Sequence, residues 1–440
     1  MAKEILVLGA GMVSRPLVAY LMDTPGFRVT VASRTVAKAE ALVRGHKQGV
    51  ARALNVDDAK ALEAAVAAAD LVVSLVPYIY HVGIAEHCLK HKKHLVTTSY
   101  VSPAMRALDG RAKEAGVLFL NEIGLDPGID HMSAMKVIHA AQAGGGKVTR
   151  FHSYCGGLPA PEANTNPWGY KFSWSPRAVV LAGRNTARYL VDGKKVTTPG
   201  EKLFADVRPA SVPGAGDFEC YPNRDSVPYV ETYGVAGVRD MMRGTLRNAG
   251  WCETWLKMAA LGFLADAKQS FAGMKYRDFT ARVVGARAGE DAQAALAAKA
   301  GLAADSPIVG RLAWLGLFGD DAVPVAEGAP LDVLAARLLE KCPYAPGERD
   351  MIVLHHEFTV EHAGGKAERL TSTLVDFGIP NGDSAMARTV SLPAAIGVRM
   401  VLEGKLAMTG VHIPVTADIY EPVLAELETL GIKCVERVLT

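Results

Sequence analysis

Hydrophobic residues in the first third of the chain fall in short compact runs, each followed by a stretch with apolar positions at helical spacing. The runs at 3–8, 28–32, 50–56, 71–76, 94–98 and 117–120 read as buried strands. Between them, Leu17, Val18 and Leu21, then 37–43, 58–69 and 79–90, keep the three-and-four spacing of amphipathic helices. Ser102-Pro103 opens another helix, with Ser at the N-cap and Pro at the first helical position. Short strands alternating with helices predict an α/β fold, a doubly wound parallel sheet with right-handed crossovers.

Beyond His131 the pattern changes. A strand is predicted at 148–155 and a mainly helical region at 251–323. Alternating runs at 351–360 and 369–377, joined through Gly364-Gly365, predict an antiparallel hairpin, so this part is mixed α/β rather than doubly wound. The stretch 384–402 reads as a long helix interrupted by Pro393, and 422–430 with 432–438 as helix then strand.

The stretch Asn121-Glu-Ile-Gly-Leu-Asp-Pro-Gly-Ile-Asp-His131 separates the two patterns. Gly124, Pro127 and Gly128 set turns there, and Pro127 disfavours a helical Asp126, which is expected in extended backbone at a strand end. Ligands of open parallel sheets bind beyond the carboxyl ends of the strands, so this acid-bearing loop is the candidate centre of chemistry.

The first strand runs into Gly9-Ala10-Gly11-Met12-Val13-Ser14 and then a helix, the context in which a GxG turn cradles a pyrophosphate. Gly9 permits the tight turn and Gly11 the approach of backbone N–H groups, while Ser14 stands where a third glycine would serve packing. The second strand ends in Ser33-Arg34-Thr35 with no acid for a ribose hydroxyl, and a guanidinium there suits the 2′-phosphate of NADP. A Rossmann-type domain binding NADP(H) is the expectation.

Charge and composition narrow the class. A net charge of +2 over 440 residues argues against a broad nucleic-acid or anionic-membrane surface, so any basic site is local. The six cysteines are far apart without a CxxC pair, which predicts neither disulfide framework nor zinc cage and fits a reducing cytoplasm. No signal segment or bilayer-spanning run is read. His87 and His91 have a ligand-like spacing, but Lys90, Lys92 and Lys93 surround them and no acid is adjacent, so a solvated basic helix end and no metal are expected. Apolar edges on the middle sheet predict a homodimer.

Several blocks carry a family resemblance: Val-Ala-Ser-Arg-Thr at 31–35, Ser-Leu-Val-Pro-Tyr at 74–78, Thr-Thr-Ser-Tyr-Val-Ser-Pro-Ala-Met at 97–105 and the 121–131 stretch. Tyr-Cys-Gly-Gly-Leu-Pro-Ala-Pro-Glu at 154–162, Gly-Tyr-Lys-Phe-Ser-Trp-Ser at 169–175, Tyr-Pro-Asn-Arg-Asp-Ser at 221–226, Arg-Gly-Thr-Leu-Arg at 243–247 and Gly-Glu-Arg-Asp at 347–350 follow in order. Together they resemble the saccharopine reductases, the NADP-dependent, L-glutamate-forming saccharopine dehydrogenases, over nearly the whole chain. The resemblance implies a dinucleotide domain at 1–127 plus 392–440, a mixed α/β substrate and dimerisation domain at 128–228 plus 340–391, and a helical domain at 229–339.

It also implies a reversible reaction in lysine metabolism, in which L-glutamate and L-2-aminoadipate 6-semialdehyde form an imine that NADPH reduces to saccharopine. Matched by position, Gly9, Met12, Val13, Ser33, Arg34, Thr35, Asn55, Val56, Val76, Thr98 and Trp174 would surround the cofactor. Ser99, Tyr100, Asp126, Arg224, Thr245 and Arg247 would hold the substrate. The residues agree with this chemistry: three substrate carboxylates need local cationic forks, supplied by Arg224 and Arg247. Asp126, then Tyr100 and Cys155, are the titratable candidates for managing protons at the imine. The runs at 383–386 and 410–415 depart from the family pattern, without touching a matched site residue. Competing readings are a related imine or carboxyalkyl-amine reductase, of carboxynorspermidine type, and a non-catalytic NADP-binding regulator.

Overall fold

A computed structural model describes residues 2–174 and 176–439, so Ser175, the end of the 169–175 block, lies outside the described residues. The chain divides into two compact units, residues 1–146 with 378–437 and residues 147–377 with 438–440.

In the first unit the strands are β1 (Lys3–Leu8), β2 (Phe27–Ser33), β3 (Gly49–Ala53), β4 (Leu71–Ser74), β5 (His94–Thr97) and β6 (Leu118–Leu120). They lie in the order β3-β2-β1-β4-β5-β6, all parallel. The order reverses between β1 and β4, the switch point at which such sheets bind ligands. β1 and β4 are buried on both faces, which is why their sequences are continuous apolar runs rather than alternations. β3 stops at Ala53, short of the expected strand end, which leaves Asn55 and Val56 in the loop beyond it.

Helices Ala59–Ala67 and His81–His91 pack one sheet face through Leu62, Ala65, Val66, Ile84, Ala85 and Cys88. The helix Ala385–Leu402 runs unbroken through Pro393, contrary to the interruption expected there. Pro393 is itself buried, and packing along the whole helix outweighs the lost backbone hydrogen bond. This helix is long and apolar enough to cross a bilayer, but 78% of it is buried.

In the second unit, β7 (Lys147–Pro159) is central. The strands β8 (Ala187–Val191), β9 (Lys194–Thr198), β10 (Arg208–Val212), β11 (Gly216–Pro222) and β12 (Asp240–Arg247) follow it in the chain. Two dipeptides, β13 (Gln269–Ser270) and β14 (Glu327–Gly328), pair with each other. The long strands β15 (Asp350–Glu361) and β16 (Ala367–Phe377) form the expected hairpin, with Gly364 and Gly365 both at positive φ in its turn. The sheet runs β10-β11-β12-β7-β15-β16 and is mixed, since β12 and β7 are parallel and the other neighbours antiparallel. The helices between Trp251 and Trp314, with Pro330–Lys341, enclose a core that includes Trp168, Tyr170, Trp251 and Trp255. Back in the first unit, β17 (Gly410–His412) adds a seventh parallel strand beside β6.

Candidate active site

The first unit builds a dinucleotide turn at its switch point. Gly9 has φ of +115°, and a Cβ there would lie 3.0 Å from the Leu75 carbonyl oxygen, so only glycine lets β1 and β4 end this close together. A Cβ on Gly11 would meet nothing within 4 Å, so that position faces open space. Ser14 does more than fill a packing position. Its buried hydroxyl accepts from the Gly11 N–H at 3.0 Å and donates to the Gly9 carbonyl at 3.3 Å, pinning the turn ahead of the helix Arg15–Asp23. Met12 is 56% exposed on the turn, with Val13 half-buried beside it.

The other expected cofactor residues sit beyond the carboxyl ends of neighbouring strands. At the end of β2, the Ser33 hydroxyl accepts from the Thr35 N–H at 3.2 Å, and Arg34 is exposed with no ion pair among the described residues. Past β3, Asn55 accepts from the Asp57 N–H at 3.3 Å, while Val56 and Val76 pack at the edge of the sheet core. Val56 also lines a cavity of about 220 Å³ with Leu62, Ile79, Tyr80 and Ile84. A flat apolar ring fits such a cavity, and the exposed Arg34 suits a phosphate, so these residues match the needs of a phosphorylated dinucleotide.

The acid-bearing loop follows β6. Asp126 lies in a turn beyond the end of β6 rather than within a strand. The reason is a fold-back of the chain: Gly124 N–H donates to Pro127, Ile129 N–H to Gly124 and Asp130 N–H to Leu125, with the Asp126–Pro127 bond cis. Gly128 is required there, since a Cβ on it would meet the Gly124 oxygen at 2.0 Å. The Tyr100 hydroxyl donates to Asp126 Oδ1 at 2.6 Å. Thr98 packs against Gly124, so Thr98, Tyr100 and Asp126 are brought together with their neighbour Ser99.

Sequence reasoning missed what lies beneath this loop. Glu122 and His131 are both buried, and His131 Nε2 meets Glu122 Oε2 at 2.8 Å. The other Glu122 oxygen accepts from the Val101 N–H at 2.8 Å, tying the loop to the end of β5. No local spacing signals this pairing, because the residues meet only through the fold-back. His81 was also missed, and it contacts the Ser99 hydroxyl.

In the second unit, β7 and β12 carry the other candidates. Cys155 is the ladder partner of Thr245 on one side and Leu354 on the other. Thr245 lies opposite Tyr221, and Arg247, two residues on, opposite Glu219. Glu219 does not neutralise Arg247, because its carboxylate accepts from the N–H groups of Gly250 at 2.7 Å and Cys252 at 2.9 Å. Arg247 is 4% exposed, and its guanidinium lies 5.1 Å from the Tyr170 ring centre, 5.3 Å from Trp251 and 6.0 Å from Tyr221. Its Nη1 donates to the Leu246 carbonyl, its Nε has no partner, and no carboxylate pairs with it among the described residues. Burial pushes the Tyr221 hydroxyl up to about 12, against the opposite pull of Arg247, so the phenol stays neutral.

Trp174 donates its indole N–H to the Tyr170 hydroxyl at 3.3 Å, so one tyrosine joins the expected cofactor residue to Arg247. Arg224 is exposed at φ of +55°, just past β11. A buried cation surrounded by rings, with an orphan donor, has hydrogen-bonding capacity left over that an anion can use.

The histidine run differs from expectation. Glu63, on the helix Ala59–Ala67, accepts from Lys90 and lies 3.1 Å from His91 Nε2, so an acid does stand beside this helix end, brought by a neighbouring helix. The described residues hold no cluster suited to a metal ion.

Comparison with known proteins adds to these observations. The family model for the saccharopine dehydrogenase NADP binding domain matches residues 5–120, and that for the saccharopine dehydrogenase C-terminal domain matches residues 124–432. A saccharopine dehydrogenase [NADP(+), L-glutamate-forming] of Pyricularia oryzae is 43% identical over 447 residues, covering 99% of each chain. Its counterpart in Saccharomyces cerevisiae is 42% identical over 437 residues, covering 97% of each. A mitochondrial alpha-aminoadipic semialdehyde synthase of Bos taurus is 37% identical over 98% of this chain but 47% of its own length. The solved apo structure of histidine-tagged saccharopine dehydrogenase (L-Glu forming) from Saccharomyces cerevisiae superposes with a TM-score of 0.90, at 39% identity and full coverage of both chains.

Proposed function

The chain belongs to the saccharopine dehydrogenase family, and from that premise we propose that it is an NADP-dependent, L-glutamate-forming saccharopine dehydrogenase of lysine metabolism. It interconverts saccharopine with L-glutamate and L-2-aminoadipate 6-semialdehyde through their imine. The observation that carries the reading is Arg247, a buried guanidinium without a carboxylate partner among the described residues. Leaving such a charge unpaired costs several kcal/mol, and a substrate carboxylate would offset that cost.

In this reading Gly9, Gly11, Met12, Val13, Ser33, Arg34, Thr35, Asn55, Val56, Val76, Thr98 and Trp174 hold NADP(H). The cofactor supplies the hydride that the imine carbon accepts. Arg224, Thr245 and Arg247 hold substrate carboxylates, and Ser99, Tyr100 and Asp126 hold the part of the substrate around the reacting nitrogen. Asp126 as a carboxylate stabilises the protonated imine and takes or returns the proton exchanged when the carbinolamine loses water. Tyr100, donating to Oδ1, keeps that oxygen oriented, and Cys155 beside Thr245 is a hydrogen-bonding partner. The substrates are small molecules. The proposal includes a homodimer, and a reducing compartment such as the cytoplasm, the latter supported by six cysteines that form no disulfide.

The test follows reduced-nicotinamide absorbance with saccharopine and NADP or NAD in parallel. Reduction with NADP and much less with NAD is expected. Turnover favouring NAD would overturn the cofactor assignment, and tight NADPH binding without turnover on saccharopine would overturn the substrate.

A further inference from the structure

The first α-helical residue after β4 is a histidine that the fold buries beside an exposed turn. Tyr78 and Ile79 just before it are 73% and 65% exposed, yet His81 itself is only 4% exposed. Its ring lies over the ends of β4 and β5, where Ser74 and Thr97 are ladder partners. Nδ1 meets the Ser74 hydroxyl at 2.8 Å, and Nε2 meets the Ser99 hydroxyl at 2.8 Å and that of Thr97 at 3.3 Å. Thr97 is the longer of the two contacts at Nε2, and its hydroxyl oxygen also accepts from the Ser99 N–H at 3.3 Å. Ser74 and Thr97 are fully enclosed, whereas Ser99 is half-buried, so the chain of hydroxyls and imidazole leads from the sheet interior to one partly open hydroxyl.

We propose that His81 is a positioning residue that turns the Ser99 hydroxyl into a fixed hydrogen-bond donor for the substrate. The Ser74 O–H donates to Nδ1, Nε2–H donates to the Ser99 oxygen, and the Ser99 hydrogen is thereby directed away from the ring. A substrate with three carboxylates is met at this point by a donor, which requires the tautomer with hydrogen on Nε2. The inference rests on the reading of Ser99 as a substrate residue. Burial pushes the imidazole down to about 4, so the ring is neutral at working pH and accepts at one nitrogen while donating at the other. A protonated ring would donate at both nitrogens and could not accept from Ser74.

The experiment uses the full chain with His81→Leu, His81→Gln, Ser99→Ala and the double variant His81→Leu/Ser99→Ala. KM for saccharopine, KM for NADP, kcat and melting temperature are measured on each. His81→Leu should raise the saccharopine KM about tenfold, with kcat and the NADP KM within about twofold of wild type. Glutamine, which keeps one donor near the same place, should recover a good part of that loss. The double variant should be no worse than Ser99→Ala, since each change removes the same contact. Multiplying effects in the double variant, or an equal rise in the NADP KM, would overturn the proposal in favour of general support of the loop. An unchanged KM in Ser99→Ala would overturn it by removing its target. Absence of saccharopine turnover in the wild type would instead mark failure of the functional reading itself. If His81→Leu does not fold, nitrogen NMR of histidine-labelled wild type decides, with a neutral Nε2–H ring expected and the opposite tautomer or a charged ring overturning it.

Discussion

The Tyr100 hydroxyl and Asp126 Oδ1 stand 2.6 Å apart although 26 residues separate them in the chain. Tyr100 follows β5 and Asp126 follows β6, adjacent parallel strands whose carboxyl ends bring their loops side by side. The contact gives one carboxylate oxygen a fixed donor, as the acid–base role proposed for Asp126 requires. Asp126→Asn should therefore lower kcat roughly a hundredfold, and Tyr100→Phe about tenfold. Both are read from the rate of NADP reduction at saturating saccharopine. An unchanged kcat in Asp126→Asn would make this residue a turn-capping carboxylate and no more.

The loop that presents Asp126 depends on Gly128. Its φ of +150° disfavours other residues, and a Cβ would meet Gly124 backbone nitrogen and oxygen at 2.1 and 2.0 Å. No flexible side chain is available to move aside. Gly128→Ala should cost roughly 3 kcal/mol or more in urea unfolding, above the usual overpacking range because the clash is with backbone. A loss below about 1 kcal/mol would mean that the fold-back is not held as described.

The positions legible in the sequence are those where local rules and tertiary context agree. Gly9 and Gly11 between strand and helix marked the switch point, and Gly124, Pro127 and Gly128 marked the loop that carries Asp126. Pairing across distance was not legible. The rings around Arg247 come from residues 170, 221 and 251, and Glu122 meets His131 only because the chain turns back on itself. The strands β8–β12 were invisible for a different reason. In β9 the single apolar residue is Val196 and most of the strand is exposed, while β10 is only five residues long with Pro209 inside it, so neither reads as a strand. Pro393 misled in the opposite sense, since burial along the helix Ala385–Leu402 overrides a local breaker.

Arg34 is exposed beyond β2 and has no ion pair among the described residues, so its removal leaves no buried partner stranded. Arg34→Ser should raise the KM for NADP at least tenfold, change that for NAD by less than threefold, and leave the melting temperature within about a degree. Parallel titrations with the two cofactors give the ratio. Equal effects on both would place the phosphate-binding group elsewhere.

Two buried imidazoles predict acid sensitivity. Burial pushes His81 down to about 4 and, with Arg150 and Arg208 adding repulsion, His152 down to about 3. In the unfolded chain each titrates near pH 6.5, so below that value the unfolded state binds more protons than the folded one. Stability therefore rises with pH across this window. The contribution of each is complete above about 6.5 and is lost as pH falls toward 4 and 3, on the order of 3 to 5 kcal/mol apiece. Melting temperature should fall steeply between pH 6.5 and 4.5, and His152→Gln should flatten the slope. Identical slopes in wild type and variant would contradict the assignment.

Arg247 allows function and stability to be separated by their signs. A guanidinium enclosed by Tyr170, Tyr221 and Trp251, with no carboxylate partner among the described residues, pays desolvation without a matching ion pair. Methionine has a similar length, fills the ring-lined space and has no charge to desolvate. If Arg247 were there for the fold, Arg247→Met would lower stability through lost ring contacts, with activity falling only in proportion to unfolded protein. If it waits for a substrate carboxylate, the free protein should be as stable as wild type or more stable, by up to about 2 kcal/mol. Saccharopine KM should then rise a hundredfold or more, because the substrate carboxylate is left without its cation. Urea unfolding and saturation kinetics on the same preparation measure both quantities. A destabilised variant with an unchanged KM would assign Arg247 to the core and require a different anchor for the carboxylate.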